Sequence, residues 1–347
     1  LGLELPVLCM AHQYLITEEM EEVVAYNDAN DGREIVHAID FDGEIYMRQE
    51  GKGMLMGTYE PNGIPWSPTE APWDFSTELL PPDLERIAPS LETGFRHFPP
   101  FETAGIKQVV NGPFTFAPDG NPLVGPVQGL TNFWCACAVM AGFSQGGGVG
   151  HALANWMVDG DPGYDVWGMD VTRFGEWATL RYTNAKVREN YSRRFSIRFP
   201  NEELPAARPF RTTPMYDIWD GMNAVFGQSY GLEVVNYFAL PGEQRLETPS
   251  FRRSNAWEAV RQEVRHVREH AGINEVHNFS KFAVKGPKAR DWLDRIMAGR
   301  IPGQGRLSLT PMLAPSGKLI GDFTVSCLGE EEFQLNASYG SQDYHLR

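Results

Sequence analysis

A histidine and a tyrosine near the start of the chain have side chains suited to amine chemistry. His12 lies in the apolar run LELPVLCMAHQYLI, and Tyr46 lies in the strand-like segment EIYMRQ. If the two segments are neighbours in a sheet, both side chains can face one cavity. They could then orient an amine or a carboxylate, or manage its proton. From spacing alone, the alternative is a core histidine beside a half-buried aromatic ring.

Two charged residues extend this candidate set. Strand alternation puts Arg48 on the same face as Tyr46, where its guanidinium could hold a carboxylate or form a surface ion pair. Asp322 has apolar neighbours in a second strand-like segment. It is either a half-buried carboxylate with a function or an aspartate at a sheet edge.

A glycine-rich segment after the residues PDG offers a binding device of a different kind. We expect a turn at residues 118–120, and we expect the glycine-rich corner at residues 142–150 to open a helix. Backbone N–H groups and the positive end of the helix dipole would point at one spot there. Three consecutive residues without Cβ atoms would let a flat ring approach the backbone. A packed strand-helix corner without a ligand is the alternative.

The elements that must position these residues are a mixture of strands, turns and helices. Residues 35–49 predict a hairpin with its turn at Asp42 and Gly43, whereas residues 17–33 predict an acidic loop. Helical patterns cover residues 83–98, 182–199 and 255–270. Further strands are expected at residues 54–60, 107–116, 307–313 and 319–328, the last two around a turn at residues 315–317.

Composition narrows the classes of function. The 347 residues are 42% hydrophobic and 22% charged, with a formal net charge of −15, which argues against nucleic acid or an anionic membrane as the main partner. No apolar run approaches the roughly 18 residues that span a bilayer. The four cysteines form no CxxC pair, so we expect reduced thiols and no metal site.

Several longer segments together resemble the dimethylglycine/sarcosine dehydrogenase family. They include PVLCMAHQYLIT, IYMRQEG, VNGPFTFAPDGNPLVGP, GGGVGHALANWMVDGDP and FRRSNAWEAVRQE. The resemblance extends over nearly the whole chain and follows the order of the family. It is therefore more specific than any single motif.

The resemblance implies a multi-domain chain of mixed α+β and α/β class. Residues 1–175 would be the substrate-binding and C-terminal part of a glycine-oxidase-like FAD domain, and residues 176–250 a connector or central domain. Residues 251–347 would start an aminomethyltransferase-like folate domain. The family's dinucleotide-binding unit would then precede Leu1, and the rest of the folate domain would follow Arg347. Both ends of the sequence are therefore expected to be cut.

The same resemblance implies oxidative demethylation of dimethylglycine or sarcosine by FAD, with transfer of the one-carbon unit to tetrahydrofolate. The implied catalytic residues are His12, Tyr46 and Asp322, and the implied substrate-binding residues are His12, Tyr46 and Arg48. The implied cofactor-binding residues are Gly142, Gly146, Gly147, Gly148, Pro118 and Asp119. The electron acceptor would be an electron-transfer flavoprotein or oxygen.

Two other functions fit the resemblance. The family includes a non-catalytic regulator of pyruvate dehydrogenase phosphatase, although the presence of both His12 and Tyr46 favours an enzyme. The chain could also belong to an oxidase for a different secondary or tertiary amine. Cysteine usage fits a cytoplasmic protein or, alternatively, one of the mitochondrial matrix.

Overall fold

The computed structural model describes residues 2–347 as two compact units. The first unit contains residues 2–123, Ala136–Gly146 and Thr179–Arg198. The second unit contains Val124–Cys135, Gly147–Ala178 and Phe199–Arg347. Within residues 2–347, every helix is too short or too polar to cross a lipid bilayer.

Strands and helices are mixed along the chain, and several strands follow one another without a helix between them. The strands are β1 (Leu8–Thr17), β2 (Ala38–Asp40), β3 (Ile45–Glu50), β4 (Gly53–Thr58), β5 (Ile106–Phe116), β6 (Leu123–Pro126), β7 (Trp134–Cys137), β8 (Ala224–Ser229), β9 (Leu232–Phe238), β10 (Phe279–Lys285), β11 (Leu307–Leu313), β12 (Leu319–Gly329) and β13 (Glu332–Ser338). The helices are α1 (Glu21–Ala29), α2 (Leu84–His97), α3 (Gly142–Asp159), α4 (Leu180–Ser192), α5 (Tyr216–Gly221), α6 (Ala256–Glu269), α7 (Ala289–Ile296) and α8 (Gln342–Leu346).

An antiparallel sheet in the order β2-β3-β4-β1-β5 is the framework of the first unit. Successive side chains of a strand point to opposite faces, so each strand supplies both faces of the sheet. On one face, Leu15 and Ile45 pack into a core that includes Ile87 and Leu91 of helix α2. These two α2 residues lie one turn apart, which explains why one side of the helix is buried.

The opposite face of this sheet is covered by helix α4. Leu8 and Met10 of β1 pack there with Val187 and Tyr191 of α4. His12 follows in the same alternation, two residues after Met10. Strand alternation therefore directs His12 to the α4 side of the sheet.

One segment differs from the sequence prediction. The acidic stretch at residues 17–33 was expected to be a loop, but it contains helix α1. Val23 of α1 is fully buried, and the preceding Met20 is 4% exposed. Both join the core under the sheet, so tertiary packing stabilises a helix whose local sequence has little apolar periodicity.

The second unit contains an antiparallel sheet in the order β10-β13-β12-β11. Helix α7 packs on it through Leu293, which lies in one core with Phe323 and Phe333. A separate hairpin of β8 and β9 packs against Ala256 and Ala259 of helix α6. Helix α6 is confirmed, but its buried contacts are made by small residues.

A polar clamp connects two distant segments of the second unit. Asp161, just after α3, accepts a hydrogen bond from Ser316 Oγ at 2.9 Å and pairs with Lys318 Nζ at 3.1 Å. Ser316 lies in the tight turn between β11 and β12, where Gly317 has φ +83°. The main-chain N–H of Gly317 bonds to Ala314 O at 2.8 Å, which confirms the predicted turn at residues 315–317.

Candidate active site

The structure brings His12 and Tyr46 together. The Tyr46 hydroxyl lies 3.1 Å from His12 Nε2. Their strands are not direct sheet neighbours, contrary to the expectation, because β4 runs between β1 and β3. Gly57 of β4 is the cross-strand partner of Tyr46, and its missing side chain leaves room for the tyrosine to lie over β4.

A buried polar chain continues from the other side of the histidine ring. His12 Nδ1 lies 3.0 Å from the hydroxyl of Tyr191, which donates to Glu60 Oε2 at 2.9 Å. Glu60 forms a buried ion pair with Arg86 Nη1, and the same nitrogen donates to Ala11 O at 3.0 Å. Tyr191 comes from α4, Arg86 from α2, and Glu60 follows β4.

The direction of these hydrogen bonds assigns the proton on His12. Because Tyr191 donates its proton to Glu60, its oxygen must accept the hydrogen bond from Nδ1–H of the histidine. Nε2 of a neutral imidazole is then an acceptor, and the Tyr46 hydroxyl donates to it. Glu60 therefore fixes the tautomer of His12 through Tyr191.

The electrostatics of the site keep its central groups neutral. Burial, reinforced by the positive charge of Arg86, lowers the pKa of His12 to about 3. Burial also raises the pKa values of Tyr46 and Tyr191 well above their usual range. Burial raises the pKa of Glu60 as well, and the charge of Arg86 opposes that shift. At neutral pH the imidazole and both phenols are uncharged.

Aromatic rings surround the His12–Tyr46 pair. Tyr59 lies 4.7 Å and Phe114 lies 5.0 Å from the His12 ring, measured between centroids. Phe195 stands edge-on to Tyr59 at 4.8 Å and to Tyr46 at 6.3 Å. We call Tyr59, Phe114 and Phe195 the aromatic wall of the site. Such rings exclude water and present faces that attract a cation.

The other charged candidates have different surroundings. Arg48 pairs with Glu50 at 2.5 Å and donates to Gln49 O at 3.1 Å, with nearly half of its side chain exposed. Asp322 belongs to the second unit, where it is exposed on β12 opposite Pro311 of β11. The catalytic assignment of Asp322 and the substrate-binding assignment of Arg48 stay predictions.

The turn with two cofactor-binding candidates forms as expected. Gly120 N bonds to Ala117 O at 3.0 Å, and Gly120 has φ +76°. Asp119 accepts a hydrogen bond from Asn121 N at 3.0 Å, and Pro118 is buried. The assignment of Pro118 and Asp119 to cofactor binding stays a prediction.

The glycine-rich segment differs from the expected corner. Helix α3 already begins at Gly142, so Gly146, Gly147 and Gly148 lie within its second turn. The reversal of the chain occurs earlier, where Ala138 has φ +53°. A Cβ at any of Gly142, Gly146, Gly147 or Gly148 would meet no atom within 4 Å.

This open glycine face fits the approach of a planar ring system such as a flavin. The first α3 bonds run from Ser144 N and Gln145 N to Ala141 O, so main-chain N–H groups at the helix start remain available to an anionic ligand. Gly142 and Gly146 lie about one turn apart on the same side of the helix, where a ring could contact the backbone closely, whereas Gly148 is turned away from that side. The assignment of Gly142, Gly146, Gly147 and Gly148 to cofactor binding stays a prediction.

Sequence patterns missed three members of the buried polar chain: Glu60, Arg86 and Tyr191. Glu60 ends the apolar run MLMGTYE, and a carboxylate two residues after a fully buried strand was the available signal. Arg86 and Tyr191 lie in helical segments rich in charged residues. Their burial follows from contacts distant in sequence.

Three family models match successive parts of this chain. The FAD dependent oxidoreductase model matches residues 1–156, and the FAD dependent oxidoreductase central domain model matches residues 159–213. The GCVT N-terminal domain model matches residues 215–347. The limits expected at residues 175 and 250 stay predictions.

Relatives with curated names match the chain along most of its length. Mitochondrial dimethylglycine dehydrogenase of Mus musculus is 36% identical over 100% of this chain and 40% of its own length. Mitochondrial sarcosine dehydrogenase of Homo sapiens is 30% identical over 99% of this chain and 40% of its own length. The chain belongs to the dimethylglycine/sarcosine dehydrogenase family. The predicted family is thereby confirmed.

Membership of the dimethylglycine/sarcosine dehydrogenase family also confirms the predicted mixed multi-domain fold class and the predicted cofactors, FAD and tetrahydrofolate. A further relative is the mitochondrial pyruvate dehydrogenase phosphatase regulatory subunit of Mus musculus, 29% identical over 95% of this chain and 38% of its own length. The chain spans about 40% of the first two relatives.

Proposed function

We propose that this protein is a flavin-dependent amine dehydrogenase or oxidase that demethylates an N-methyl amino acid, such as dimethylglycine or sarcosine. The observation that carries the proposal is the neutral His12–Tyr46 pair beside the aromatic wall. FAD, when bound, supplies the acceptor for the hydride that leaves the N-methyl group. Passage of the one-carbon unit to tetrahydrofolate is part of the proposal and is supported by the GCVT match.

Tyr46 and His12 are suited to release the nitrogen lone pair of the substrate. An amine gives up hydride from its methyl group only when that lone pair is free, so an ammonium proton must first leave. Because Tyr46 donates its own proton to His12, the lone pairs of its oxygen can accept a hydrogen bond from the ammonium. Tyr46 would thus hold the nitrogen while the ammonium proton passes to bulk solvent, because His12, with its lowered pKa, and the neutral phenol of Tyr46 do not keep it.

The aromatic wall assists the same step by excluding water. The burial that lowers the pKa of His12 to about 3 would also favour the uncharged form of an amine bound beside it. The ring faces of Tyr59 and Phe195 attract the arriving methylated ammonium before it is deprotonated. Binding as a cation and reaction as a free amine are therefore compatible at one site.

Anaerobic flavin reduction in the intact protein tests this function. Dimethylglycine and sarcosine should bleach the flavin, whereas glycine betaine should not, because its quaternary nitrogen has no lone pair. Replacing His12 by Ala should slow bleaching about tenfold or more. Absence of bleaching by every secondary or tertiary amine tried, with flavin bound, would refute the proposal.

The similarity to a phosphatase regulatory subunit favours a second candidate, a non-catalytic regulator. Flavin that stays oxidised with all amines would support it. Bleaching by an amine other than the two named amino acids would instead identify an oxidase for a different substrate. The electron acceptor is proposed to be an electron-transfer flavoprotein or oxygen. The mitochondrial names of the relatives support the mitochondrial matrix over the cytoplasm as the location.

A further inference from the structure

Arg194 lies beside the aromatic wall of the candidate active site. It follows helix α4 by two residues, and its main-chain N–H donates to Tyr191 O at 3.1 Å. The next residue, Phe195, packs edge-on against Tyr59 and Tyr46. The guanidinium of Arg194 acts electrostatically on Tyr59 and lowers the pKa of that phenol against the effect of burial. Arg194 is itself half-buried.

The charge of Arg194 has no carboxylate partner within residues 2–347, and its guanidinium makes no hydrogen bond there. Other arginines behave differently: Arg86 pairs with Glu60, Arg208 pairs with Glu233 at 2.5 Å, and Arg48 pairs with Glu50. Burial lowers the pKa of Arg194, and the positive charge of Arg198 lowers it further.

The charge balance of the site indicates what would pair with this cation. Glu60 is already neutralised by Arg86, and both His12 and Tyr46 are uncharged at neutral pH. Arg198 adds a second positive charge near Arg194, and Glu44 adds a carboxylate near Glu60, so the balance beside the rings still favours positive charge. An amino acid bound with its nitrogen at Tyr46 brings one carboxylate, and a planar guanidinium matches a carboxylate with two parallel hydrogen bonds.

We propose that Arg194 binds the carboxylate of the substrate, so that the site selects N-methyl amino acids over N-methyl amines without a carboxylate. This inference rests on the proposed function and specifies the substrate class of the same site. It also assigns carboxylate binding to Arg194 in place of Arg48, whose guanidinium is occupied by Glu50.

Binding to the intact, flavin-loaded protein by isothermal titration calorimetry tests the proposal. The probe is 3-methylbutanoate, which has the shape of dimethylglycine with carbon in place of nitrogen and cannot be oxidised in the same way. Arg194→Gln should weaken its binding about 10- to 100-fold, and Arg194→Lys should weaken it less. Binding of N,N-dimethylglycinamide, which lacks the carboxylate, should change less than about threefold in either variant.

Arg188→Gln is the matched control, because Arg188 is exposed on α4 and the substitution removes the same charge. It should leave the affinity for 3-methylbutanoate unchanged. Equal affinity of the wild-type and Arg194→Gln proteins, with an unchanged melting temperature, would overturn the proposal. An equal loss of affinity for the amide would overturn it as well.

The binding test of Arg194 can be read separately from the flavin-reduction test of the proposed function. If no amine bleaches the flavin but Arg194→Gln still abolishes carboxylate binding, the proposed function fails and the carboxylate site stands. If dimethylglycine bleaches the flavin equally well in both proteins at low concentration, the carboxylate site fails and the proposed function stands. In the expected case, Arg194→Gln raises the half-saturating concentration of dimethylglycine and largely preserves the limiting rate.

Discussion

Tyr46 and Gly57 are cross-strand partners, and the tyrosine ring lies where the side chain of residue 57 would be. A Cβ on Gly57 would overlap the ring and the hydroxyl of Tyr46. The absence of one side chain on β4 thus permits a hydrogen bond between residues on β1 and β3.

We therefore predict that Gly57→Ala impairs flavin reduction although it changes no functional group of the His12–Tyr46 pair. The new methyl group displaces Tyr46 and breaks its bond to His12, so flavin reduction by dimethylglycine should slow about as much as in Tyr46→Phe. Overpacking should also cost about 1–3 kcal/mol of stability. Stopped-flow reduction and thermal unfolding measure the two effects. Gly221→Ala, where a Cβ meets nothing within 4 Å, should change neither; full activity of Gly57→Ala would contradict the prediction.

Tyr191→Phe should impair the reaction through His12. The variant removes the acceptor for Nδ1–H and the donor to Glu60, so the imidazole loses the contact that fixes its tautomer. We expect the limiting rate of flavin reduction to fall about 10-fold. The half-saturating concentration should change less, because Tyr191 does not line the aromatic wall. Tyr26→Phe, at a tyrosine that is 40% exposed, is the control and should be neutral.

The acid stability of the protein should depend on His12. Its pKa is about 3 in the folded state and near 6.5 when unfolded, so only the unfolded chain takes up this proton between those values. Stability should therefore fall as the pH drops below about 6.5, by up to about 1.4 kcal/mol per pH unit. Thermal unfolding from pH 7 to 4.5 should show a shallower fall in His12→Gln than in wild type. Parallel curves for the two proteins would show that His12 titrates normally.

A substitution at an exposed glycine of α3 should affect the stability of the helix and the retention of FAD in opposite directions. Gly147→Leu should stabilise the flavin-free helix by a few tenths of a kcal/mol to about 1 kcal/mol, since glycine is a poor helix former. The same side chain should obstruct a ring lying on the helix start and so reduce the FAD retained after gel filtration. Gly150→Leu, farther along the helix and equally open, should give the stabilisation with normal FAD content. Normal FAD content in Gly147→Leu would argue against a flavin at this face.

Sequence patterns predicted the local elements of the site and the faces of its strands. The hairpin before Tyr46 and the strand containing His12 follow from apolar alternation and a turn at Asp42 and Gly43, all properties of neighbouring residues. The order of strands is not local, and for that reason β4 was not expected between β1 and β3.

The buried partners of His12 lay beyond sequence reasoning for the same reason. Tyr191 bonds to His12 across 179 positions and to Glu60 across 131 positions. Nothing in the flanking residues encodes these pairings, which depend on how α4 crosses the sheet. The start of α3 was misplaced for a local reason: Ala138, rather than a glycine, adopts the left-handed conformation at the reversal.

The line of hydrogen bonds from Tyr46 through His12, Tyr191 and Glu60 to Arg86 ties together β3, β1, α4, the segment after β4, and α2. If any one of these elements detached, a buried charge or dipole would lose its partner. The free-energy cost would be shared by every hydrogen bond in the line. Small fluctuations of a single helix are therefore suppressed. The site would persist intact until its surroundings unfold cooperatively, and it would be lost as one block rather than by gradual loosening.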